Sequence, residues 1–374
     1  MSARCLRRIP TADSAEPVVP GRASPLARIL FAVYVLLTAY ASLYPLEGWR
    51  DHGLSPFAYL GAPWPRYVTG FDLALNLLGY GPYGFLCVVA LEPRVRGAGA
   101  FGAAAGSALV LSLVLEAAQS YLPARVAMNL DVLCNLAGAA AGAALGLVFA
   151  PWIAAEGPVA RLRAKAFLPG AGVDLGLALL GLWLFTQLNP ATLLFAAGDL
   201  RDLLAAGAGR ARKPEFFATI EAVTAAANLI GVGLLLSALA RPGQPVRALF
   251  VGLVALALGV KTAAFAILLH AENVFAWLTP GAQQGLAGGL AVALVAIALP
   301  RTARLALAAV LFMTATVLVN LAPANPYLAA SLKVWQQGHF LNFNGLTRLV
   351  SALWAFVALA YLIYLASRRR EAVA

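Results

Sequence analysis

Charged residues are scarce in this chain. Asp, Glu, Lys and Arg make up 11% of its 374 residues, against 61% hydrophobic and a mean hydropathy of +0.81. That balance excludes an ordinary soluble domain, in which about a quarter of the residues are charged. Cysteine and histidine are equally rare, at three each. Cys5, Cys87 and Cys134 lie far apart, which gives no disulfide framework. His52, His270 and His339 are isolated, which gives no zinc or iron ligand spacing. No metal and no cofactor are expected. The first 25 residues are rich in proline, glycine and arginine without periodicity and read as a disordered cytoplasmic tail. That lead argues against a cleaved signal peptide, although Ala39-Tyr40-Ala41 resembles a cleavage site.

What is present is a succession of apolar runs. A helix needs roughly 20 apolar residues to cross the hydrocarbon, and about ten runs of suitable character follow one another. The eighth, near residue 291, is the shortest. The expected fold is all-α: a polytopic integral membrane helix bundle with about ten transmembrane helices. The stretch PWIAAEGPVARLRAKAFLPGA is polar and flanked by proline. It divides the chain into a tail (1–25), a four-helix membrane domain (26–150), a cytoplasmic linker (151–171) and a C-terminal membrane domain of about six helices (172–374).

The net charge of +11 comes from basic residues scattered through short loops, so it orients helices and gives no nucleic-acid surface. With both termini in the cytoplasm, about 17 Lys and Arg fall inside and about 9 outside, as the positive-inside rule requires. The inside set includes Arg4, Arg7, Arg8, Arg94, Arg96, Arg161, Arg163, Lys165 and Arg368 to Arg370. The fifth loop, with Arg201, Arg210, Arg212 and Lys213, is the exception. Trp49, Trp64 and Tyr67 in one outer loop, and Tyr327, Trp335 and Phe340 in another, suit the membrane interface.

Two apolar runs begin on one skeleton, FDLALNLLG from Phe71 and LDVLCNLAG from Leu130. Asp72 with Asn76, and Asp131 with Asn135, are four apart and share a helix face at the outer start of the second and fourth spans. Between them the third span carries Ser112, Glu116 and Gln119 at helical spacing, then the tight connection YLPARVAMN with Arg125. If the three helices touch, three acids and one base converge on the outer third of the bundle. A carboxylate inside a span costs up to about 3 kcal/mol, so partners must compensate it. Asp72 and Asp131 also suit helix N-caps, and Asn76 and Asn135 suit helix-helix bridges. Glu116 has no cap to make.

These residues carry a resemblance. FDLALNLLGYGPYGFL followed by SLVLEAAQSYLPARVAMNLDVLCNLAGAAAGAALG is similar to the VanZ family of bacterial membrane proteins, over roughly residues 30–150. The resemblance implicates Asp72, Asn76, Glu116, Gln119, Arg125, Asp131, Asn135 and Gly138. Many members have a further acid shortly before the last Asp, where this chain has Asn129 and Leu130. NFNGLTRLVSALW, from Asn342, is similar to longer members with extra C-terminal spans. The resemblance implies a bacterial inner-membrane protein acting at the outer surface, with a link to glycopeptide susceptibility and no settled chemistry.

Other patterns carry less. Gly97 to Gly102 fits GxGxxG by letter but lies between two spans with no strand before it. Gly138, Gly142 and Gly146 form a packing face. Lys261, deep in the seventh span, takes Glu221 as its expected partner, with Asn228 deeper. Two functions follow. One is an outward polar pocket that binds or handles an envelope lipid or peptidoglycan precursor, with Arg125 on phosphate and the carboxylates on amines or hydroxyls. The other is a membrane enzyme acting on an outer-leaflet lipid-linked substrate, with Glu116 as general base and Asp131 or Asp72 as its partner.

Overall fold

The computed structural model describes residues 24–65, 69–153, 157–201, 213–268, 273–323 and 341–371. Cys5, Arg4, Arg7, Arg8, Tyr67, Arg210, Arg212, His270, Tyr327, Trp335, His339, Phe340 and all but the end of the 1–25 tail lie outside them, as do the side chains of Arg368 to Arg370. The fold is all-α, with no strand among the described residues. Helices α1 (Pro25–Leu43), α2 (Gly70–Leu91), α3 (Gly97–Gln119), α4 (Asn129–Ile153), α7 (Pro214–Leu239), α8 (Val246–Leu268), α10 (Arg301–Leu321) and α11 (Leu341–Glu371) contain the eight segments long and apolar enough to cross a bilayer. Helices α6 (Ala171–Thr186) and α9 (Pro280–Ala296), of 16 and 17 residues, complete the ten apolar runs.

Start signals in the sequence set these boundaries. Ser24 caps α1 ahead of Pro25, and Thr279 caps α9 ahead of Pro280. Thr69 caps α2: its hydroxyl accepts from the Asp72 amide at 3.1 Å and donates to the Asp72 carboxylate at 2.6 Å. The polar connection after α4 contains a short basic helix, α5 (Pro158–Ala166). It is pinned by Arg163 to the buried Asp174 of α6 at 2.6 Å, and the Leu168 amide donates to the Leu239 carbonyl.

Glycine stripes bring two helix pairs into backbone contact. A Cβ added at Gly138 or Gly142 of α4 would land on the α2 backbone at Leu77 or Gly81, and one at Gly84 of α2 would land on Ala139 of α4. Gly281, Gly285 and Gly289 of α9 lie in the same way on Ala218, Ala222 and Ala226 of α7. Helix α3 closes the first group with a stripe spaced by four, in which Ala100, Ala104 and Ala108 are each 0% exposed. Helix α1 packs on α2 and also on α6 and α11, joining the two halves, with the Tyr44 ring seated on Gly345.

One element has no counterpart in the apolar pattern. After α6 the chain stays irregular to Arg201, yet Leu194, Phe195, Ala196 and Ala197 are buried and Phe195 stacks on Trp183. The Gly198 amide donates to the Ser351 carbonyl at 2.8 Å, and Asn320 both donates to the Gly198 carbonyl and accepts from the Leu200 amide. Ser351 lies eight residues inside its span, so this segment dips about 12 Å into the bundle. Non-helical backbone is tolerated at such depth only where protein groups satisfy it.

Candidate functional site

The α3 stripe of alanines continues as Ser112 and Glu116, so the face that packs tightly at one end turns polar at the other. Glu116 is 4% exposed, and its Oε2 accepts from the Met128 amide at 3.0 Å. That amide is available because the chain turns tightly after Gln119 and starts α4 at Asn129. Across the gap the Asn76 amide donates to Asp131 Oδ1 at 2.7 Å, linking α2 to α4. One turn deeper, Asn135 donates to Ser112 Oγ at 3.0 Å, linking α4 to α3. The repeated Asp-x-x-x-Asn skeleton is therefore a two-tier cross-link. The first Asn meets the second Asp, and the second Asn meets the intervening helix.

The remaining expected residues divide. Asp72 is exposed and held by Thr69, within electrostatic reach of Asp131. Gln119 and Arg125 turn toward the end of α1, where Gln119 donates to the Ser42 carbonyl at 2.9 Å. Arg125 donates from Nε to Tyr44 and from Nη2 to Ala41, at 3.0 and 3.1 Å. Arg125 thus caps the orphan carbonyls of α1. Burial pulls its guanidinium below its ordinary value, while the charges of Glu116 and Asp131 act the other way. A guanidinium is so strong a base that it stays cationic there.

Two residues join the site that spacing did not single out. The Tyr80 hydroxyl is buried beside Ser112, and Asn135 Oδ1 is buried with no hydrogen-bond partner among the described residues. Tyr80 continues the Asp72, Asn76 series by one more turn, a signal the sequence did carry. Tyr59, in a short 3-10 turn (Ala58–Gly61), inserts from the loop above and donates to the Leu113 carbonyl at 3.3 Å. Burial and the neighbouring Glu116 both raise its phenol above its ordinary value. No local pattern marks it. Around it the same loop exposes Leu54, Phe57, Leu60 and Trp64.

Below Ser112 and Asn135 the interior becomes apolar, at Ala108 and Ala139 and then Val88, Ala100, Ala104 and Ala143. The carboxylate and amide groups of this cluster therefore gather toward one end.

The C-terminal half corrects one expectation. Lys261 is 1% exposed, but its ammonium donates to the Asn189 and Thr192 carbonyls of the buried irregular segment, at 2.7 and 2.9 Å. Glu221 instead accepts from the Thr279 hydroxyl at 2.7 Å. The two charges feel one another but form no ion pair, because the unwound carbonyls reach the ammonium first. Asn228 donates to the Thr224 carbonyl of its own helix.

Eight long apolar helices and a buried carboxylate cluster at one end define a multi-pass helical membrane protein. Within it, residues 29–150 match the family model described as VanZ/LLP1, and further helices follow that region. No curated protein and no solved structure matches the chain.

Proposed function

We propose that the α2, α3 and α4 cluster is a one-sided pocket that captures the polar group of an envelope lipid or peptidoglycan precursor, with Asp72, Asn76, Glu116, Gln119, Arg125, Asp131 and Asn135 as its wall and frame. The observation that carries this reading is the buried tier of Glu116, Ser112, Asn135 and Tyr80, gathered toward one end above small apolar side chains. A permeation path would need polar groups with access from both sides. The loop with Tyr59 roofs the pocket and turns apolar side chains outward, which suits entry from a lipid leaflet.

In this reading residues 26–150 are the ligand-handling domain, 151–171 a cytoplasmic linker and 172–374 a supporting membrane domain. The protein sits in the bacterial cytoplasmic membrane with both termini inside. The basic α5 and Arg94 and Arg96 then face the cytoplasm and the pocket faces out, where an effect on glycopeptide susceptibility would arise. Binding is favoured over the enzymatic alternative because Glu116 is engaged with a backbone amide and Ser112 accepts from Asn135 rather than facing a base.

The test compares a deletion strain complemented by wild type or Glu116→Gln at matched membrane abundance. Expected is a changed surface distribution of a lipid or precursor, or changed drug susceptibility, with unchanged covalent lipid chemistry. An undiminished phenotype from Glu116→Gln would sink the pocket, and a covalent species dependent on Glu116 would establish the enzyme.

A further inference from the structure

We propose that the group held between α2, α3 and α4 is a primary ammonium and not a phosphate. This rests on the pocket reading above and names its ligand.

The hydrogen-bond inventory points that way. Each side-chain nitrogen group at this end is tied to a neighbour through at least one N–H. Asn76 is bound to Asp131 and Asn135 to Ser112, while Gln119 and two nitrogens of Arg125 are bound to carbonyls of the α1 end. Arg125 also has a further interaction. Spare acceptors stand beside them. Glu116 takes one bond on Oε2 and Asp131 one on Oδ1, and neither second carboxylate oxygen takes another among the described residues. Asn135, 4% exposed, presents an unpartnered Oδ1 one turn below Asp131. Tyr80, also 4% exposed, lies beside Ser112 with a hydroxyl that can accept as well as donate.

Charge points the same way. Glu116 and Asp131 lie within electrostatic reach of each other and of one guanidinium, and Asp72 lies within reach of Asp131. An incoming phosphate would meet carboxylates whose nearby cation is committed to capping a helix. An ammonium brings three donors and the opposite charge, which matches spare oxygens on two helices. Among the described residues no three carboxylate, His or Cys side chains converge closely enough to hold a metal ion, so the geometry suits N–H donors rather than direct coordination.

A lipid headgroup or a soluble amine could supply this chemistry, and the experiment separates them. Full-length protein is equilibrated with an equimolar mixture of phosphatidylethanolamine, phosphatidylcholine and phosphatidylglycerol of identical chains, and the retained lipids are read by native mass spectrometry. Expected is enrichment of phosphatidylethanolamine by about tenfold or more, the scale of one charge-assisted hydrogen bond. That enrichment should vanish for the N-acetylated lipid and for Asp131→Asn or Glu116→Gln. Displacement by millimolar ethanolamine would show that the ammonium alone is recognised.

Protection by ethanolamine against thermal unfolding, lost in Asp131→Asn and without lipid enrichment, would keep the ammonium and assign it to a soluble source. Equal retention of phosphatidylcholine, which keeps the charge but has no N–H, would overturn the inference. So would a preference for phosphatidylglycerol lost with Arg125→Ala, which leaves the pocket reading standing. Indifference of every probe to both carboxylate variants would overturn the inference and the pocket together.

Discussion

Lys261 shows how a single buried charge chooses its partners. A carboxylate on the adjoining helix offers a full opposite charge, but two backbone carbonyls with no helical partner offer short, directed bonds and would themselves be costly to leave unpaired. The same preference governs Arg125, whose fork goes to the end of α1 although two carboxylates stand nearby. A consequence can be measured. Exchanging the charges, Lys261→Glu with Glu221→Lys, should unfold in detergent no later than Lys261→Glu alone. The new carboxylate would face the acceptor oxygens of Asn189 and Thr192 whatever stands at 221. Each single change at 261 should cost about 2–5 kcal/mol, as expected when a buried polar partner is removed. Recovery of the double variant to near wild-type stability would mean that the Glu221 charge, and not the carbonyls, holds Lys261.

At the scale of elements, the helices were legible because a bilayer imposes a length and an apolar content that composition alone can register. All ten apolar runs appear as helices, with the run near residue 291 as the 17-residue α9. The buried segment from Gln187 to Arg201 was not legible, since apolar residues such as Leu193, Leu194 and Phe195 read alike in a loop or a helix. It also bears on the charge exception in the fifth loop. Arg201 is paired to Asp199 through two nitrogens and bonds the carbonyls after α10, so one of those four bases is bound within the bundle. In the site, spacing by four brought Asp, Asn and Glu to shared faces, but which Asn meets which Asp depends on how far α2 and α4 slide past each other. That register is set by the glycine stripe. Gly142→Ile should therefore abolish the folded monomer or lower its stability by more than about 3 kcal/mol, because the added atoms meet α2 backbone that cannot yield. Gly79→Ala, where a Cβ meets nothing within 4 Å, should be neutral or stabilise by up to about 1 kcal/mol. Thermal unfolding of both variants in one detergent checks the contrast, and equal losses would show that close approach does not govern this pair.

For the whole molecule, the ends of the helices sort into two surfaces. The C-terminal ends of α1 and α3 lie with the N-terminal ends of α2 and α4 at the carboxylates, and Tyr44 on Gly345 places the start of α11 there as well. The basic α5 belongs to the opposite surface, after the far end of α4. Polarity along α3 follows the same division, with Glu116 and Ser112 toward one surface and Ala104 and Ala100 toward the other. One labelling series therefore tests sidedness and depth together, in a background with Cys5, Cys87 and Cys134 replaced. A membrane-impermeant thiol reagent added outside intact cells should modify Asp51→Cys and, more slowly, the half-buried Asn76→Cys. It should leave Lys165→Cys and Ala104→Cys untouched until the membrane is opened, after which Lys165→Cys alone should join the reactive set. Ala104 is 0% exposed between apolar neighbours and should stay protected from both sides. Reaction at Ala104→Cys would make the polar tier part of a path across the bundle, and reaction at Lys165→Cys in intact cells would invert the pocket to face the cytoplasm.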